Sequence, residues 1–176
     1  KLIGNNVKVL INDIDKIKWK QDIQNDIEKL EELLEYSIQV DNNRDKKLQT
    51  LKQTIESKIK NPLNGENKKV IIFTAFADTA QYLYDNISLW AKNLGVESCL
   101  ITGSGINQST LFPKERDLNT LLTHFSPISK DRAKIDSTQS KELDILIATD
   151  CISEGQNLQD CDFLINYDIH WNPVRI

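Results

Sequence analysis

A chain of 176 residues, 39% of them hydrophobic and 27% charged, is long enough for one domain, or for one domain with an appendage. A net charge of −4 argues against a broad surface that coats polyphosphate, and no apolar run approaches the roughly 18 residues that span a bilayer. No signal peptide opens the chain, so a cytoplasmic protein without a membrane partner is expected. Cys99, Cys151 and Cys161 stand apart without CxxC spacing, which reads as buried thiols in a reducing compartment rather than a metal or redox site. The chain contains no Met, an initiator included, as an excised fragment would.

Taken in order, residues 15–40 carry an apolar stripe at Ile23, Ile27, Leu30 and Leu34, spaced as one face of a helix. Asp41-Asn42-Asn43 breaks the pattern, and Leu48, Leu51, Ile55 and Ile59 resume it until Asn61-Pro62. Two helices in succession predict a hairpin over residues 1–62, either an insertion packed on its own domain or an arm that binds a partner. From Lys69 the pattern changes. Val70–Phe73, Cys99–Ile101, Asp144–Ala148 and Phe163–Tyr167 read as short buried strands. Asp78–Ala91 and Glu115–Phe125 read as helices between them, with Asp78 as N-cap or first-turn acid and His124 structural. Pro127–Lys141 is polar and without period, so a mobile loop is expected there, with Lys130, Arg132, Lys134 and Lys141 available to a polyanion. Strands that alternate with helices make a parallel sheet with right-handed crossovers. The expected fold is therefore α/β over residues 63–176, a parallel sheet flanked by helices, with the helical hairpin in front. The hairpin region carries 13 Lys and Arg against 12 Asp and Glu over residues 1–68, and the rest 9 against 14, so the α/β part is the acidic one.

Polar residues gather where strands end. In an open α/β sheet that edge is where ligands bind. The ends are Phe73-Thr74-Ala75-Phe76, Ile101-Thr102-Gly103-Ser104-Gly105, Ala148-Thr149-Asp150 and Asn166-Tyr167-Asp168. A Ser153-Glu154-Gly155-Gln156-Asn157-Leu158-Gln159 loop joins the last two. A strand end that opens a helix offers free N–H groups and the positive end of a dipole, and glycine lets backbone approach a phosphate. Each of these features alone also occurs in ordinary turns. Thr102-Gly103-Ser104-Gly105 is not a dinucleotide fingerprint, because the third glycine is missing.

The run Thr149-Asp150-x-x-Ser153-Glu154-Gly155-x-Asn157-Leu158-Gln159, followed by Asn166-Tyr167-Asp168-x-x-Trp171-Asn172-Pro173-Val174-Arg175, resembles the fifth motif and the next block of superfamily-two helicases. Its form is closest to the bacterial Swi/Snf-like ATPases, the group of the RNA-polymerase-associated remodelling ATPase. The resemblance is strong over residues 69–176, weak over 45–60 and absent over 1–40. It implies a second RecA-like domain, truncated before a Gln-Arg-x-Gly-Arg-x-x-Arg block that carries the arginine fingers. By that resemblance Thr74, Phe76, Thr102, Gly103, Thr149 and Ser153 face a nucleic-acid backbone. Gly155, Asn157 and Gln159 would lie towards nucleotide, and Asp150 would brace the loop. His170 and Trp171 would pack and position, with Asn172 capping a helix that Pro173 begins. Glu154-Gly155-Gln156-Asn157 stands where many RNA helicases have Arg-Gly-x-Asp, which points away from the DEAD-box branch.

The resemblance places the phosphate loop and the Mg²⁺ carboxylates in a first RecA-like domain. The expected function is then half of an ATP-dependent translocase or helicase. Its partners would be a nucleic acid held by backbone contacts, duplex DNA in the first place and RNA as the alternative, and the parent's first RecA-like domain. ATP and Mg²⁺ would be used by the intact parent, and the chain alone would bind neither tightly and would have no catalytic residue or metal site. The rival reading is a non-catalytic interaction module that binds a partner through its N-terminal helical arm.

Overall fold

The computed structural model describes residues 2–5, 7–10, 14–41, 44–103, 106–135, 140–152 and 156–168. They form two compact units, Lys1–Lys46 and Lys47–Ile176.

In the first unit, β1 (Leu2–Ile3) pairs antiparallel with β2 (Val9–Leu10). A long helix follows, α1 (Lys16–Ile38). Asp15 caps it, its Oδ1 accepting from the N–H groups of Ile17 and Lys18 at 3.1 and 3.0 Å. No described residue of α1 is buried.

The second unit opens with α2 (Lys46–Lys60). Its stripe, Leu48, Leu51, Ile55 and Ile59, is buried in the core of the α/β unit. The sequence reading put this helix in a hairpin domain ending at residue 62. The observed division falls at 46/47, because the stripe packs with β3 (Val70–Phe73) and α3 (Ala77–Asn93). Next come β4 (Ser98–Ile101), β5 (Gln108–Ser109), α4 (Leu118–Phe125), α5 (Arg132–Ile135), β6 (Ile145–Ala148) and β7 (Leu164–Asn166). The sheet order is β5-β4-β6-β3-β7. It is parallel except for the two-residue edge strand β5, which runs antiparallel to β4.

Strand period sorts the core into two layers. Val70 and Ile72 of β3 and Ile145 and Ile147 of β6 face α2 and α3, with Leu83, Ile87 and Ala91. Ile71, Leu146 and Ala148 face the other way, with Leu121, Leu122 and Phe125 of α4. Both faces of β6 are covered, so all four of its residues are buried and it reads as a continuous apolar run. α3 ends in a Schellman motif. Gly95, at φ 79°, donates to the Lys92 carbonyl, and Val96 donates to that of Ala91. Asp78 is the first-turn acid of α3, not its cap. His124 is buried, its Nδ1 2.9 Å from the Thr120 carbonyl and its ring edge-on to Phe112.

The segment expected to be a mobile loop is largely built. The N–H groups of Ile128 and Ser129 donate to the Asp160 carboxylate at 2.7 and 2.9 Å, and α5 supplies one helical turn. Arg132 pairs with Glu142, Lys134 with Asp131 and Lys141 with Glu97, so these cations are engaged within the protein. Lys130 reaches Gln156 at 3.1 Å. Residues 136–139 lie outside the described residues.

Candidate nucleic-acid interface

Register builds the site. Phe73 of β3 and Ile101 of β4 are both aligned with Ala148 of β6, and Asn166 of β7 with Phe73. The next residue on each strand therefore falls in one row at the carboxyl edge: Thr102, Thr149, Thr74 and Tyr167. Backbone bonds continue the ladder into this row. Thr149 N–H donates to Ile101 O at 3.3 Å, Thr74 N–H to Ala148 O at 3.1 Å and Tyr167 N–H to Phe73 O at 2.7 Å. Neighbouring strands are about 4.8 Å apart, so the threonines form a closely spaced polar rim.

The row is not uniform. Thr102 is half-buried and Gly103 exposed. Thr149 is 9% exposed, with its hydroxyl 3.5 Å from the Cys151 sulfur. A Cβ on Gly103 would lie 3.3 Å from Cβ of Cys151, a tight contact that a larger residue could make only with a small shift of its neighbour. Cys151 itself is exposed, contrary to the buried thiol expected, because it sits in the 3₁₀ turn Asp150–Ile152 on the rim. Cys99, in the core, is the buried one, and burial pushes its thiol up.

Thr74 differs most from expectation. It is 2% exposed and donates its hydroxyl to Asp168, which also accepts from the Ala75 N–H at 3.2 Å and from Lys47 Nζ at 3.2 Å. Lys47 lies 3.8 Å over the Tyr167 ring as well. Burial works to raise the Asp168 carboxyl, but these hydrogen bonds and the Lys47 charge outweigh it and hold it below the usual carboxylate range. The Thr74 side chain thus ties β3 to β7 and α2 instead of presenting a free hydroxyl. Lys47 and Asp168, separated by 121 residues, form a pair that sequence spacing had no means to reveal.

Beside this cluster, α3 begins at Phe76, which is 66% exposed and provides no side-chain cap. The first turn of α3 therefore turns N–H groups and its positive dipole end to the rim, with Asp78 as the one acid of that turn.

The residues assigned to nucleotide sit elsewhere. Asn157 is exposed and donates to Ser129 O at 3.4 Å, and Gln159 is exposed. The following Asp160 is bound to the Ser129 turn and accepts from Asn67, which precedes β3 at the opposite edge of the sheet. The structure does not bring Asn157 and Gln159 into the threonine row. Both are exposed polar residues. Ser153, Gly155, Ser104 and Gly105 lie outside the described residues, as do His170, Trp171, Asn172 and Pro173. Among the described residues no group of three or more His, Cys, Asp or Glu is placed to hold a metal, and no helix is long and apolar enough to cross a membrane.

Residues 46–176 match the helicase conserved C-terminal domain. The chain belongs to that family. The matched range begins where the α/β unit begins, so the helicase C-terminal domain comprises α2 together with the sheet and its helices. Two curated relatives are similar. An uncharacterized ATP-dependent helicase, YqhH, from Bacillus subtilis is 51% identical over 35 residues, 20% of this chain and 6% of that protein. A probable ATP-dependent RNA helicase, ddx51, from Dictyostelium discoideum is 32% identical over 130 residues, 73% of this chain and 20% of that protein. The chain thus spans a fifth or less of the length of either relative.

Proposed function

We propose that this helicase C-terminal domain is the second RecA-like half of a Swi/Snf-like, ATP-dependent translocase on duplex DNA, working in the cytoplasm against a first RecA-like domain. The observation that carries this reading is the shared strand register, which sets Thr102, Thr149 and the head of α3 on one edge. Phosphates would be met there by the hydroxyls of Thr102 and Thr149, by backbone at Gly103 and by the N–H groups at the start of α3 near Phe76. Ser153 joins this surface on the strength of the motif. Thr74 acts one step back: through Asp168 it fixes the turn that leads from β3 into α3. Such contacts read no bases and make binding sequence-independent and salt-sensitive.

The nucleotide wall is Gly155, Asn157 and Gln159. ATP with Mg²⁺, when held between the two domains, supplies the free energy of translocation. This chain contributes the wall and not the phosphate loop. The purified chain is therefore expected to show no DNA-stimulated ATP turnover. In the intact enzyme Gly155→Val is expected to abolish turnover with the fold retained, since the added methyls fill space meant for nucleotide.

A relative named as an RNA helicase favours a second reading, RNA as the polymer. The experiment that separates the two is the ATPase rate of the intact enzyme with duplex DNA and with RNA of equal length. Stimulation by RNA alone removes the Swi/Snf-like assignment, and stimulation by neither removes the translocase.

A further inference from the structure

Helix α1 is left over by the function above. It has 23 residues, none buried, yet it is not polar all round. Trp19, Ile23, Ile27, Leu30, Leu34 and Ile38 are all exposed large apolar side chains. At about 100° per residue the six share an arc of about 100° on one face. Such a stripe is the mark of a helix that packs against another element. The neighbouring helix α2 has already spent its own stripe in the α/β core.

The charges say what the cover is. Lys16, Lys18 and Lys20 occupy the start of α1, while Asp22, Asp26, Glu28, Glu31, Glu32 and Glu35 follow with Lys29 as the one cation among them. The first turn holds no acid and the last turn no base. Cations at the N-terminus and acids towards the C-terminus both oppose the helix dipole. An antiparallel helix with the same charge order removes the conflict at both ends, because its acids meet the lysines and its dipole runs the other way. The sequence that has this order and a matching stripe is α1 itself.

We propose that α1 pairs antiparallel with α1 of a second copy of this chain. Centred near Ile27, the pairing sets Lys20 opposite Leu34 of the second copy and Lys16 opposite Ile38. Lys20, Glu31 and Glu35 lie on the same flank of the stripe, so each lysine then falls within one turn of Glu31 or Glu35 of the second copy. The stripe is about three heptads long, near the minimum for a coiled coil, so the pair forms at high concentration and not at low.

Sedimentation equilibrium of the 176-residue chain, from low micromolar to several hundred micromolar, tests this. The expected result is a reversible monomer–dimer equilibrium that Ile27→Asp with Leu30→Asp abolishes, while circular dichroism still reports the α/β unit. The paired reversal Lys16→Glu with Lys20→Glu is expected to weaken association about tenfold or more. Glu31→Lys with Glu35→Lys does the same, and an equal mixture of the two variants regains wild-type strength. A parallel pair sets like charges together in the wild type and in both variants, so neither variant alone would be weaker. A chain that stays monomeric throughout, reversal variants that associate as wild type does, or a mixture without recovery each overturns the proposal. In the first case α1 is a docking face for a different protein or for another part of its own.

Discussion

Asp168 holds the rim together at the scale of single residues. One carboxylate takes the Thr74 hydroxyl, the Ala75 N–H and the Lys47 ammonium, and so joins β3, β7 and α2. Thr74→Val and Asp168→Asn should each cost about 1–3 kcal/mol in urea unfolding, since each removes or weakens a hydrogen bond to a charged carboxylate. Because they touch, a double-mutant cycle should return a coupling of about 1–2 kcal/mol. Additive losses would mean that the contact contributes nothing of its own. Acid should act through the same kind of group. Burial tends to raise Asp160, but bonds from Ser129 and Ile128 outweigh it and hold this carboxyl below its usual range, as at Asp168. A carboxyl whose folded value is depressed stabilises the fold above its unfolded value, about 3.9, and this is lost as pH falls through the folded value. Asp144, raised chiefly by burial, works in the opposite direction. The stability gap between wild type and Asp160→Asn should therefore narrow as pH is lowered from about 6 to about 3. A gap that stays constant or widens on acidification contradicts the assignment.

Among the elements, α2 and α1 invite contrasting substitutions. Ile55 is fully buried between α2 and the sheet, and Ile55→Ala should cost about 2–5 kcal/mol by thermal or urea unfolding. Leu33 of α1 is 62% exposed and off the main stripe, and Leu33→Ala should stay within about 0.5 kcal/mol. Similar losses at both sites would deny that α2 alone belongs to the core. The stripes of these helices were legible in sequence because a 3.6 period reports that a face is covered. The period does not report what covers it, which is why Leu48, Leu51, Ile55 and Ile59 suggested a hairpin and turned out to line the sheet. The four parallel strands were legible as apolar runs bounded by Thr, Gly and Asp. Strand β5 was not, since Gln108 and Ser109 are two polar residues whose strand character comes only from pairing with β4. The turn at Ser126–Lys130 was missed for a related reason: its ordering partner, Asp160, is some thirty residues away.

For the whole molecule, the sequence motifs located the polar ends of the strands, and the parallel register explains why they form one surface. What the motifs did not contain is the sorting of that surface. Thr74 faces inward to Asp168, whereas Thr102, Gly103 and the head of α3 face out. Asn157 and Gln159 stand apart from the threonine row, beside the Ser129 turn in the case of Asn157. Two surfaces on one α/β unit fit the division of labour proposed here, with nucleic acid along the rim and nucleotide on the wall beyond it.

In the proposed translocase the hydroxyls of Thr102 and Thr149 grip phosphate, and Thr149 stands on the central one of the three threonine-ended strands. The direct measurement is the affinity of the intact enzyme carrying Thr149→Ala for duplex DNAs of several sequences, beside its affinity for ATP. Thr149→Ser, which keeps the hydroxyl, serves as the control. One neutral hydrogen bond is worth about 0.5–1.5 kcal/mol, so DNA binding should weaken by up to about tenfold, equally for every sequence. ATP affinity should stay unchanged, and Thr149→Ser should bind DNA as wild type does. Unaltered DNA binding in Thr149→Ala, or a loss confined to one DNA sequence, would contradict the account.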